Sequence, residues 1–297
     1  MKLTVFTPTY NRAELLTRAY ESLKGQTSGD FAWLIVDDGS TDETGKLVKT
    51  WQDEGLIPIE YHYVENGGKM RAHNRGVERC KTDWFVCLDS DDILVKDAVE
   101  EILKTVEGID EKKSDRRPLA GIIAHKGKSD TQLLSGVDFP DEFIKEPHVR
   151  TTLYGLYLKG FKGETTIVFR TEVLRKYPFP EIEGEKYVPE DYIYDKIDSE
   201  YDYIVLPKIL TVCEIVSEGY TDSVRKLKEN NKEAWYLYYE QRARITPMSV
   251  LKLKYLGFYR LYAGMTGHAL NEAGDISGLE KILGIPGEFF LRVTGRL

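Results

Sequence analysis

Three carboxylates, Asp89, Asp91 and Asp92, fall within four positions of the stretch CLDSDDI, directly after an apolar run. Like charges at this spacing resist ionising together unless a cation or donor groups stand beside them. Asp89 and Asp91 are two apart, so in extended backbone their side chains point the same way. A hard cation such as Mg2+ or Mn2+ accepts one or two such oxygens and keeps its other positions for water and phosphate. Taken alone, the triplet reads more readily as a solvated, turn-forming acidic loop. Two other clusters, TPTYNR and DDGS, weigh against that reading. In DDGS, residues 37–40, Asp37 and Asp38 end a buried run, and either carboxylate suits a nucleobase N–H or a ribose hydroxyl. Tyr10 in TPTYNR offers a ring that stacks on a base or simply packs. In NGGKMRAHNRG, residues 66–76, Gly67 and Gly68 permit close backbone approach, while Lys69, Arg71 and Arg75 supply charge for phosphate or for solvent.

These clusters need a scaffold that brings them to one edge. Apolar, β-branched runs at 3–6, 32–36, 59–64, 84–88 and 119–124 alternate with helix-period segments, the pattern of βαβ units and a mainly parallel sheet. In such a sheet, ligands bind beyond the carboxyl ends of the strands, where all three clusters fall. Asn11 with Glu14 and Ser40 with Glu43 have the spacing of helix N-caps, which predicts helices starting at both places. Leu15, Leu16, Ala19 and Leu23 share one helical face, as do Leu47, Val48 and Trp51, and both stripes read as core. The charged stretch 108–118 reads as a surface connection. A further strand is expected at 165–169 and a helix from about Pro189, and beyond residue 221 the pattern is helical and aromatic.

Composition bounds the possibilities. The 297 residues are 41% hydrophobic and 30% charged, ordinary for a globular protein. From Arg225 to Leu297 there are 12 Lys/Arg against 7 Asp/Glu; with a total of -8, residues 1–224 carry -13. An acidic body argues against nucleic acid as a partner, whereas the basic tail suits phosphates or an anionic lipid surface. Cys80, Cys87 and Cys213 are too few and scattered for a disulfide framework or a zinc cluster, so a reducing cytoplasm is expected. The N-terminal residues lack the apolar stretch of a signal peptide, and no run is long enough to span a bilayer. His73, His125 and His148 have no ligand spacing and read as structural.

In order along the chain, TPTYNRAELLTRAYESLKGQT, LIVDDGSTDET, ENGGKMRAHNRGVERCKTDWFVCLDSDD and, more loosely, VPEDYIYDKI resemble glycosyltransferase family 2, the inverting nucleotide-sugar enzymes of GT-A fold. The resemblance covers roughly residues 1–205. It implies an α/β fold of GT-A type, a Rossmann-like, mainly parallel mixed sheet flanked by helices, with a C-terminal helical extension. The catalytic domain is expected at 1–220, its nucleotide-sugar half at about 1–125 and its acceptor half at 126–220, with the extension at 221–297. By the same resemblance Pro8, Thr9 and Tyr10 line the nucleoside pocket and Asp38 contacts the base. Arg12, Gly68, Lys69, Arg71, Asn74 and Ser90 border the nucleotide. Asp89 contacts ribose or metal, and Asp91 and Asp92 hold the metal-bridged diphosphate. Asp191 is implied as the catalytic base, with Glu190 beside it to orient the acceptor or raise its pKa; the two also suit a helix N-terminus after Pro189.

The expected reaction is direct displacement at the anomeric carbon, with Asp191 taking the acceptor proton and Mn2+ or Mg2+ offsetting charge on the leaving diphosphate. A UDP-sugar is the expected donor and a glycan or lipid-linked molecule the acceptor, in cell-surface or capsular glycan synthesis. Two other readings compete. A phosphotransferase of haloacid dehalogenase type also uses a DxD at a strand end, though Ile93 and a position near residue 90 fit it poorly. A non-catalytic nucleotide-sugar sensor would bind donor without transferring it. EGYTDSVRK, residues 218–226, suits either closure over the diphosphate or a loop and cap. In the tail, Trp235, Tyr236, Tyr238, Tyr239, Tyr255, Phe258, Tyr259 and Tyr262 lie among Arg and Lys. They suit an interfacial helix on the inner face of a membrane, packing on the catalytic domain, or a homo-oligomer interface.

Overall fold

The computed structural model describes residues 1–109, 117–146, 149–213, 224–270 and 276–294. The apolar runs form strands and the periodic segments between them form helices. In order these are β1 (Leu3–Thr9), α1 (Ala13–Lys24), β2 (Phe31–Asp37), α2 (Thr44–Glu54), β3 (Ile59–Tyr63), α3 (Lys69–Arg79) and β4 (Trp84–Cys87). There follow β5 (Asp92–Leu94), α4 (Ala98–Glu107), β6 (Leu119–Gly127), α5 (Asp141–Lys145), β7 (Arg150–Thr151), α6 (Leu153–Leu158), β8 (Thr165–Arg170) and α7 (Thr171–Lys176). The remainder comprises α8 (Asp191–Glu200), β9 (Asp202–Cys213), α9 (Val224–Asn230), α10 (Lys232–Ile245), α11 (Val250–Thr266), α12 (Gly278–Leu283) and α13 (Ile285–Thr294). Two compact units result, Met1–Pro178 with Ile193–Val216, and Phe179–Tyr192 with Ser217–Leu297.

The first unit holds a nine-stranded sheet in the order β3-β2-β1-β4-β8-β6-β9-β5, with β7 on β9. Strands β3, β2, β1 and β4 run parallel; β8 is antiparallel between β4 and β6, and β6 is parallel to β9. The sheet is therefore mixed and mainly parallel, and strands such as β1, β2, β4 and β6 are buried on both faces. Alternation divides the side chains. Leu3, Val5, Trp33, Ile35 and Val86 join Leu16, Tyr20, Val48, Trp51, Val99 and Ile102 from α1, α2 and α4 in one core. Within it Tyr20 stacks on Trp51 at 4.4 Å, and the Trp33 indole donates to Thr7 Oγ1 at 2.9 Å. Phe6 and Phe85 turn the other way and meet His73 of α3 edge-on. Gly76 brings α3 close: a Cβ there would intrude on the Phe6 ring.

Three strands were not legible in the sequence: β5, β7 and β9. The first two have three and two residues, too short for any periodic signal. Strand β9 contains Pro207 and Lys208, which read as a break. The structure instead uses them as a bulge, since Ala124 pairs with Leu206 but His125 with Ile209. A bulge is where a strand tolerates proline.

The second unit is built on aromatic packing. Trp235, Tyr236 and Tyr239 of α10 form a buried cluster with Phe258, Tyr259 and Tyr262 of α11. The Tyr239 and Phe258 rings stack at 4.5 Å. Lys228 lies over the Trp235 and Phe258 rings, and burial followed by repulsion from Lys254 lowers its pKa. These aromatics pack helix on helix within this unit, an arrangement beside the three expected from the sequence. Glu185 accepts from the Glu233 and Ala234 amides and Asn231 from the Lys186 and Tyr187 amides, tying segment 179–192 to α10. Among the described residues no helix is long and apolar enough to cross a membrane.

Candidate functional site

The parallel register brings the ends of β1, β2 and β4 to one edge. Thr9 pairs with Asp37, and Phe6 with Cys87. Beyond these ends the backbone stays knitted for one more residue: the Asp38 amide donates to the Thr9 carbonyl and the Leu88 amide to the Phe6 carbonyl, both at 2.8 Å. The loops that follow then fasten to one another. Asn11 sits at φ 51°, its amide donating to Ser40 Oγ while its Oδ1 accepts from the Thr41 amide. Neither Asn11 nor Ser40 caps a helix as expected. Asp42 does that work for both helices, accepting from the Ala13 amide at 3.1 Å and the Thr44 amide at 3.0 Å.

The two aspartates at the end of β2 have separate duties. Asp37 is fully buried and accepts from the Ser40 amide at 2.7 Å and the Tyr61 hydroxyl at 2.6 Å. Asp38 accepts from the Gly67 and Gly68 amides, each at 2.8 Å, one on each carboxylate oxygen. The Asn66 side-chain amide adds a contact to Asp38, and Arg71 donates to the Gly67 carbonyl at 2.7 Å. This web holds Gly68 at φ 95° and ψ 160°, open only to glycine, and α3 starts immediately after it. Lys69, Arg71 and Asn74 are carried on the first turns of that helix. Pro8 and Thr9 are buried at the end of β1, the Thr9 hydroxyl has no hydrogen-bond partner, and Tyr10 is exposed.

At the end of β4, each aspartate of the triplet faces a cation. Arg12 Nη1 lies 2.6 Å from Asp91 Oδ2, Lys69 Nζ 2.8 Å from Asp89 Oδ1, and Lys126 Nζ 3.1 Å from Asp92 Oδ2. Burial would raise the Asp89 pKa, but the charges of Lys69, Lys126 and Arg12 outweigh it and hold the group at about 2. Asp92 is shifted upward, by burial first and then by Asp89, against the pull of Lys126. Cys213 donates to the same Asp92 oxygen at 3.2 Å, and burial pushes that thiol up to about 12. Ser90 is buried in the turn between them.

Lys126, Cys213 and Asn66 were missed in the sequence. The available signal was Lys126 itself, a cation ending the otherwise apolar run LAGIIAHKG.

A divalent cation fits Asp89 and Asp91 by donor chemistry, since both present hard carboxylate oxygens and are 31% and 22% exposed. Asp92, 7% exposed and engaged by Lys126 and Cys213, is less open to a metal. Among the described residues no group of three or more ligating side chains occurs, so such an ion would complete its shell with water and phosphate. His125 pairs with Asp138 at 2.9 Å and stacks on Phe139, and His73 packs on two phenylalanines, both structural settings. His148 and residues 218–223 lie outside the described residues.

Glu190 and Asp191 belong to the second unit. Asp191 Oδ2 lies 3.0 Å from Arg242 Nη2. Asp191 is 58% exposed; partial desolvation and then Glu190 raise its pKa, with Arg242 and a hydrogen bond from Tyr238 opposing and solvent screening all of them.

Residues 4–114 match Glycosyl transferase family 2. This stretch belongs to glycosyltransferase family 2. The family 2 domain spans β1 to β5, the loops carrying the three clusters, and α4. The chain is 30% identical over 181 residues to a teichoic acid poly(glycerol phosphate) polymerase of Staphylococcus epidermidis, covering 59% of this chain but only 23% of that protein. Two solved structures share the fold at 19% identity. One is S. aureus TarS 1-349 in complex with UDP-GlcNAc, at TM-score 0.60 over 97% of this chain and 79% of that one. The other is the mannosyltransferase PcManGT from Pyrobaculum calidifontis in complex with GDP-Man and Mn2+, at 0.58 over 98% and 80%. The fold around the family 2 domain is thus GT-A, with C-terminal helices following it.

Proposed function

We propose that this protein is an inverting, metal-dependent glycosyltransferase that moves a sugar from a nucleotide-sugar, a UDP-sugar, to an acceptor hydroxyl. One observation supports this most: the family 2 domain gathers an aspartate-anchored Gly-Gly turn, Lys69, Arg12 and the Asp89–Asp91 pair at the carboxyl edge of one parallel sheet. A diphosphate needs such neighbours, namely the start of a helix, cations, and carboxylates able to share a divalent ion. The similar structures were solved with UDP-GlcNAc and with GDP-Man and Mn2+, which supports a nucleotide-sugar donor and a metal-assisted site.

In this proposal Asp89 and Asp91 would hold Mn2+ or Mg2+, which would offset charge on the leaving diphosphate, while Asp92 stays with Lys126 and Cys213. Pro8, Thr9 and Tyr10 line the nucleoside pocket, while Asp38 acts mainly through the turn it anchors. Asp191 accepts the proton of the acceptor hydroxyl, and attack opposite the leaving group inverts the anomeric centre. Glu190 supports it by raising its pKa. The resemblance to a teichoic acid polymerase supports a glycan or lipid-linked acceptor in cell-envelope polymer synthesis. Exposed Leu279, Ile282, Phe289 and Phe290 on α12 and α13 suit the lipid end of such an acceptor at a membrane surface.

The test is thermal denaturation of the purified protein with UDP-, GDP- and ADP-sugars, each with Mn2+ and with EDTA. A stabilisation of several degrees is expected with UDP-sugars plus Mn2+ and little with EDTA. Equal stabilisation in EDTA would contradict metal dependence, and no response to any nucleotide-sugar would contradict the function.

A further inference from the structure

The three cations that face the aspartate triplet come from separate elements: Arg12 from the turn before α1, Lys69 from the first position of α3, and Lys126 from β6. Three positive charges match three negative ones, so the free protein holds the triplet as a balanced set of ion pairs. The pairs differ in setting. Lys126 and Asp92 form the enclosed one, with Cys213 donating to the same carboxylate oxygen. Arg12–Asp91 and Lys69–Asp89 are more open and occupy the carboxylates best suited to a metal.

A guanidinium 2.6 Å from a carboxylate oxygen and an ammonium at 2.8 Å take up the same lone pairs that a divalent cation needs. A metal ion arriving alone must strip Arg12 and Lys69 from their partners, leaving two cations beside a third positive centre. A metal arriving with the diphosphate of a nucleotide-sugar brings two negative charges and fresh acceptor oxygens for both side chains. The net charge of the site then stays as it was.

Building on the proposed function, we propose that Arg12 and Lys69 are exchange cations. In the free protein they guard Asp91 and Asp89. When metal and nucleotide diphosphate bind, they pass from the carboxylates to phosphate oxygens, while Lys126 stays on Asp92 as the fixed charge that positions the triplet. Metal and donor therefore bind as a unit, and the metal alone binds poorly.

The experiment uses the full chain as wild type, Arg12→Gln and Lys69→Gln. Mn2+ binding without nucleotide is measured from the electron paramagnetic resonance signal of the free ion, and UDP binding at saturating Mn2+ by calorimetry. Each variant is expected to bind Mn2+ alone about tenfold tighter and UDP with Mn2+ about tenfold weaker than wild type. Damage to the fold would weaken both, so the opposite signs carry the test. Unchanged or weaker binding of Mn2+ alone in both variants would overturn the exchange, even if wild type binds UDP with Mn2+ normally. A wild type that binds no UDP with Mn2+ would overturn the function itself, and the exchange with it.

Discussion

Asp191→Asn is expected to bind UDP and Mn2+ as the wild type does and to transfer sugar about 10³-fold more slowly, within the usual contribution of a positioned general base. The amide is nearly isosteric and retains an oxygen for Arg242, 3.0 Å away in the native chain, so the local packing should survive. What it loses is the capacity to take a proton. The pH profile adds an independent check. Partial desolvation and Glu190 raise the Asp191 pKa, so the acid limb of the rate should lie on the high side of the ordinary carboxylate value, by an amount that solvent contact at this 58% exposed group limits. Arg242 acts in the other direction, which means that Arg242→Ala should move this acid limb further up. Steady-state rates from pH 4 to 9 against calorimetric UDP affinity would settle both points; near-normal transfer by Asp191→Asn would remove it as the base.

Asp38→Ala should be a costly polar truncation in the nucleotide half. Its two oxygens satisfy the amides of Gly67 and Gly68, and Asn66 leans on it as well. Asp38 is only 5% exposed, so water cannot readily replace it. An enclosed donor left without an acceptor costs about 1–3 kcal/mol, and two of them with a lost charge-assisted bond give roughly 3–5 kcal/mol in all. The turn that starts α3 should loosen with them, displacing Lys69 and weakening UDP binding. Asp38→Asn keeps one acceptor oxygen and should fall between. Urea denaturation of the three proteins measures this, and a loss below about 0.5 kcal/mol for the alanine variant would show that the turn has another anchor.

Much of the molecule was legible because its signals were local. Strands β1 to β4, β6 and β8 are runs of apolar and β-branched residues long enough to stand out, and TPTYNR, DDGSTDE and DSDD sit where those runs end. What stayed hidden depends on contacts distant in sequence. The caps were misread because the loops after β1 and β2 bond to each other, so Asn11 serves Thr41 and Asp42 serves Ala13. Asp38 reads as a base contact until Gly67 and Gly68 are seen to occupy its oxygens. Lys126 approaches Asp92 from 34 positions along the chain, a relation no spacing rule expresses. The aromatics of α10 and α11 left three settings open because side-chain type alone does not distinguish a helix that meets lipid from one that meets another helix.

The central claim is that a divalent ion held by Asp89 and Asp91 ties a nucleotide diphosphate to the end of β4. Calorimetric titration of UDP with Mn2+ into wild type and Asp91→Ala, each repeated in EDTA, addresses it most directly. The expected outcome is micromolar to submillimolar binding by wild type that EDTA abolishes, and at least about tenfold weaker binding by the variant. Equal affinity in the two proteins, or wild-type affinity untouched by EDTA, would contradict it.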